Sequence, residues 1–117
     1  YFPVTVNTKE CVDLARKAVV ENLGDGALDK DCPMWMATET FSITESTWPG
    51  VFFFTGINDP AVGSGSPHHT PKFDIAEEGL VTGVAAALSY VTAVLKEKPE
   101  TPSFHKVDLE SMLKLTE

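Results

Sequence analysis

Four consecutive apolar residues, Val51-Phe52-Phe53-Phe54, stand between Pro49-Gly50 and Gly56, and no other feature limits the fold of this chain as much. Successive side chains on an extended backbone point to opposite sides, so a strand made of these four has no face that water can solvate well. Such a run suits an interior strand covered by helices on each side, which places the chain in the α/β class. The flanking glycines and Pro49 mark the turns that bound it.

The segments on either side supply candidates for the covering helices. Phe2–Val6 is a short β-prone run, after which Asn7 offers an N-cap and Glu10 the matching capping-box acid. Val12, Ala15, Val19 and Leu23 then recur at helical spacing up to a stop at Gly24. Asp25–Pro33 is a polar turn region, and Met34–Met36 reads as a strand entering the loop Thr38-Glu39-Thr40-Phe41. Asn58–Pro67 is a loop rich in Gly, Ser and Pro. Asp74 caps a second helix, with Glu77 in the box position, running to about Leu95 and closed by Lys96-Glu97-Lys98-Pro99. Gly79, Gly83 and Ala85–Ala87 keep one side of it thin, so it is expected to lie close against the sheet that holds Val51–Phe54. The expected fold is α/β, a partial mixed sheet with two main helices, followed by an amphipathic stretch at Leu109, Met112, Leu113 and Leu115.

Composition excludes several functions. A net charge of −8 on 117 residues leaves nothing to neutralise a run of phosphates, so nucleic acid is not an expected partner, and neither is an anionic membrane surface. The uncharged run Leu80–Leu95 falls short of the roughly 20 apolar residues a span needs, and it is broken by Thr82, Gly83, Ser89 and Thr92, so it reads as a buried core helix. A hydrophobic content of 43% suits a soluble, single-domain protein, and a cytoplasmic location is the expectation. Cys11 and Cys32 could pair, but a free buried thiol is the commoner fate of a cysteine on a helix face such as Cys11.

The chemistry-bearing stretch is Pro67-His68-His69-Thr70-Pro71-Lys72-Phe73-Asp74. A metal-binding imidazole needs backbone that fixes its direction, and the proline-stiffened segment after the pair provides it. Adjacent histidines on extended backbone point to opposite sides, so at most one can face a given cation. Taken alone, the pair is better explained by a solvated polar turn.

The pair is not alone. Phe2-Pro3-Val4-Thr5-Val6-Asn7-Thr8, Met36-Ala37-Thr38-Glu39-Thr40-Phe41-Ser42, Pro49-Gly50-Val51-Phe52-Phe53-Phe54-Thr55-Gly56 and the His68–Asp74 segment with its helix follow one another in a single order. From about Phe2 to Leu95 the chain resembles the C-terminal part of the aminoacylase/carboxypeptidase family of di-metal amidohydrolases. That family includes hippurate hydrolases, plant auxin-conjugate hydrolases and related zinc or manganese peptidases.

The resemblance implies several expectations. Residues 1–98 would be the C-terminal segment of the catalytic domain, and residues 99–117 a tail with a short amphipathic helix. His69 would be a metal ligand, one of several holding two divalent ions, zinc or manganese, in the complete enzyme. Glu39 would be the catalytic-cleft glutamate of the family's Ser-Glu-Asp-Phe stretch; no residue is assigned to an organic cofactor. The reaction would be hydrolysis of the amide bond of an N-acyl amino acid or small peptide by metal-bridged water. Most ligands and the general base lie in the family's N-terminal half, so the chain reads as a fragment, a processed piece or a separate subunit. Its expected partners are that missing half or a partner chain, with a homo-oligomer left open. Two departures, Thr40 and Ala76 where the family carries acids, keep a non-catalytic structural or interaction subunit as the rival reading. A lone metal module built on His68 and His69 is the weakest.

Overall fold

The computed structural model describes residues 2–104 and 106–114, with the side chains of Leu109 and Met112 excepted. Helix α1 spans Lys9–Leu23 and buries Cys11, Ala18 and Val19. It stops where expected, at Gly24, whose φ of +89° is open to glycine and strained for other residues. Its start differs from the sequence reading. Thr8 is the N-cap residue, without a side-chain cap, because the Asn7 amide is engaged elsewhere.

Helix α2 is the single turn Phe41–Glu45, and α3 runs over Glu78–Glu97. Asp74 does not cap α3; its Oδ1 accepts a hydrogen bond from the adjacent Ile75 N–H at 2.8 Å. The helix begins later because the Ala76 N–H donates to the Ile57 carbonyl at 2.9 Å, holding that stretch out of helical register. At its end Lys98 takes a left-handed φ of +46° before Pro99 and donates its N–H to Val94 O. The tail forms a short α4, Leu109–Lys114, and is tied back by the Val107 N–H to Ser46 O at 2.9 Å. Leu115, expected on the same amphipathic face, lies outside the described residues, as do Tyr1 and His105.

The expected mixed sheet is absent. Among the described residues there is no strand: Phe2–Val6, Met34–Met36 and Val51–Phe54 all lack ladder partners, so the α/β assignment does not hold. The reason is visible at Asn7. Its side-chain Nδ2 donates to Phe52 O at 2.8 Å and its Oδ1 accepts from Phe52 N at 2.6 Å. One amide side chain thus occupies both groups that a neighbouring strand would use. The Thr8 N–H reaches Gly50 O at 3.0 Å, so the two segments run together through one residue and a turn, with no repeating register.

Helix α1 packs on α3, joined at one end by the exposed Lys17–Glu97 ion pair at 2.8 Å. Such exposed pairs contribute little to stability. The thin side of α3 meets residues 55–57: a Cβ at Gly83 would lie 3.0 Å from Thr55 Oγ1, and one at Gly79 would lie 2.8 Å from the Gly56 carbonyl oxygen. The contact expected with Val51–Phe54 is therefore displaced to the segment just after it. Nor is α3 a buried core helix. Only 11% of its most apolar window is buried, although its length and composition are those of a membrane-crossing helix. Val81, Val84, Leu88, Val91 and Leu95 are all exposed.

Candidate functional site

Between α1, α3, the phenylalanine run and the loop before α2 lies an open cavity of about 610 Å³. Glu39 lines it. The Glu39 position is fixed by its own carbonyl, which accepts the Ser42 hydroxyl at 2.6 Å and the Ser42 N–H at 3.2 Å as α2 begins. Ser42 is fully buried, so this anchor is a rigid one. Trp35, Phe52 and Phe54 form an aromatic wall, with Tyr90 of α3 and Arg16 of α1 also on the lining. Burial and the neighbouring Cys11 thiol push the Tyr90 phenol up to about 12, so it stays a protonated donor at neutral pH. Both cysteines are free, Cys11 buried and Cys32 exposed.

His69 is outside the cavity lining and connects to it through rings. Phe52 meets Phe54 edge-on at 5.3 Å, Phe54 meets Trp35 at 5.4 Å, Trp35 meets His68 at 5.4 Å, and His68 meets His69 at 4.7 Å. These separations fall in the range for favourable aromatic contact. The two histidines therefore do not point to opposite sides as an extended backbone would require. His69 has a φ of +63°, a left-handed conformation uncommon for a residue with a side chain. The Thr70 hydroxyl closes the turn by donating to Pro67 O at 2.7 Å. That turn brings the rings together and fixes the direction of the His69 imidazole.

Among the described residues no group of three or more His, Cys, Asp or Glu side chains could hold a metal ion. Among the described residues the donors do not make a complete cation site, and His69 and Glu39 are not gathered into one ligand cluster.

The buried carboxyl of the region is Glu45, at the end of α2. It is 7% exposed, and neither oxygen has a hydrogen-bond partner. Burial raises its pKa above 4.5, and the nearby Val6 backbone amide, short of a hydrogen bond, offsets only part of that. Ala76, where the resembled family carries an acid, is buried at 7% exposure; its methyl occupies a place where a carboxylate would be stranded.

Sequence reasoning passed over Trp35, which it placed in a strand, and Arg16. Trp35 is flanked by methionines in a run with no turn residues, which conceals that its ring bridges two motifs. Arg16 carried a signal, being the only arginine in the chain.

The profile of peptidase family M20/M25/M40 matches residues 1–93. The chain belongs to that family. Members of the M20 family are hydrolases that use divalent metal ions. The M20 chain is 36% identical over 108 residues to the IAA-amino acid hydrolase ILR1-like 2 of Arabidopsis thaliana, covering 90% of this chain and 24% of the relative. It is 29% identical over 97 residues to IAA-amino acid hydrolase ILR1-like 6 of the same plant, covering 83% of this chain and 21% of the relative. The M20 chain thus spans about a quarter of the length of these curated relatives. No solved structure matches it.

Proposed function

We propose that this chain is the part of an M20 amidohydrolase that supplies one imidazole ligand and one wall of the substrate cleft, incomplete on its own. The substrate class is an N-acyl amino acid or small peptide, and the relatives' names favour an aromatic acyl group such as indole-3-acetyl. The supporting observation is the run of ring contacts from Phe52 to His69, which joins two separate sequence motifs through Trp35 beside the cavity that Glu39 lines. An aromatic wall accepts a planar acyl group by stacking and keeps water from that side of the amide. Glu39, on its Ser42-anchored loop, offers a carboxylate at the cleft that can accept an amide N–H or a proton. His69 offers one nitrogen to a divalent ion, zinc or manganese, and the remaining donors belong to the rest of the enzyme or to a partner chain. The setting is a soluble, cytoplasmic one.

The test compares His69→Ala with His68→Ala in the complete enzyme. Bound metal and activity should both fall more than about 100-fold for His69→Ala and by less than about tenfold for His68→Ala. Equal losses would remove His69 from the ligand set.

A further inference from the structure

The tail after α3 lies beyond residues 1–93, which the family profile matches, and it does not hang free. Thr101 and Ser103 are exposed while Pro102 and Phe104 are half-buried, the alternation of an extended chain laid on a surface. Val107 is half-buried as well, and its N–H donates to Ser46 O at 2.9 Å. Beside it the Lys106 Nζ stands 5.6 Å from the centre of the Trp48 ring, within reach of a cation–π contact. Both contacts land on the residues that follow α2, far earlier in the chain.

From Ser46 the connection runs on without a gap. The Ser46 N–H and hydroxyl donate to Ser42 O at 2.9 and 2.8 Å, and the Ser42 hydroxyl and N–H donate to Glu39 O at 2.6 and 3.2 Å. Ser42 is fully buried, so water cannot replace the bonds it makes. Helix α2 is a single turn, too short to hold its shape without outside support. We infer that the tail up to Val107 is a strap that clamps α2 and, through Ser46 and Ser42, positions Glu39 on the cleft edge. Ser42, Ser46 and Val107 are positioning residues and touch no substrate. The strap's part in catalysis rests on the amidohydrolase reading; its hold on the Glu39 loop does not.

Amide hydrogen exchange on the full chain reads that hold without turnover. Val107→Pro deletes the donor of the Ser46 contact, whereas Val107→Ala keeps it and only trims the side chain. The Ser42 and Ser46 amides should exchange about tenfold faster in Val107→Pro, the scale of one hydrogen bond. They should stay close to the parent's rate in Val107→Ala, and the α1 amides should keep that rate in both variants. Parental exchange at α2 in Val107→Pro, an equal acceleration in Val107→Ala, or an equal acceleration in α1 would overturn the strap. In the complete enzyme, Val107→Pro should lower kcat at least about tenfold through a displaced Glu39, with bound metal and KM as in the parent. Faster exchange at α2 with an unchanged kcat would uphold the strap and remove Glu39 from the amidohydrolase reading.

Discussion

Glu45 is the side chain whose environment departs furthest from what its chemistry prefers. A carboxylate at 7% exposure with no hydrogen-bond partner is disfavoured in its charged form, so its pKa rises through burial, with the Val6 amide opposing weakly. The sign of the pH effect follows from linkage. A folded pKa above the unfolded one means the stability associated with the proton is fully present below about 4.5 and is lost as pH rises through the folded value. Glu45→Gln cannot ionise. The melting temperature of that variant relative to the parent should therefore rise as pH increases above about 4.5 and level off once Glu45 is ionised in the folded state as well; a constant difference would mean that Glu45 is solvated. His69 shows what sequence conveys at this scale. Its place in a proline-stiffened turn was legible from Pro67 and Pro71, but its positive φ and the edge-on contact with His68 were not. A backbone sign at one residue is set by the turn closure from Thr70 to Pro67, which residue types alone do not determine.

At the scale of elements, local signals were readable and non-local ones were not. Gly24 ends α1 and Pro99 follows the end of α3, because glycine and proline act within one or two residues of themselves. The caps at Asn7 and Asp74 failed for a common reason. Each position has a long-range competitor, the Phe52 backbone for the Asn7 side chain and Ile57 O for Ala76 N–H, and a capping rule sees only its own window. The strand expected at Val51–Phe54 failed likewise, since apolar succession says that a segment wants cover and not what will pair with it. The close approach of α3 survives in altered form and can be measured. A Cβ at Gly79 would sit 2.8 Å from Gly56 O and 3.0 Å from Ile57 Cγ2, so Gly79→Ala should lower stability by about 1–3 kcal/mol in spite of alanine's better helix propensity. Gly83→Leu should destabilise by a similar amount, about 1–3 kcal/mol, through Thr55. Chemical denaturation that shows either variant more stable than the parent would place that side of α3 in solvent.

The whole molecule is broad and thin, with principal extents of 47 × 39 × 21 Å and a radius of gyration of 16.4 Å, against about 13–14 Å for a compact domain of this length. Its buried apolar residues are few among those described: Cys11, Ala18, Val19 and Ala76. Meanwhile Trp35, Phe53, Phe54 and the outer side of α3 stay exposed. Family membership was legible in the sequence because four short motifs kept their order. The architecture was not, because a sheet depends on pairings that no single motif encodes. The catalytic account has the same character: the sequence proposes His69 and Glu39 one at a time, while no complete metal site forms among the described residues. The most direct test is an amide-hydrolysis assay of the purified 117-residue chain with zinc and with manganese, using N-benzoylglycine as substrate. No turnover above the metal-only blank is predicted for the chain alone, and turnover is predicted once the remaining segment of the enzyme is supplied. Hydrolysis by the chain alone, abolished by a chelator and restored by metal, would contradict the account by showing that a complete site forms here.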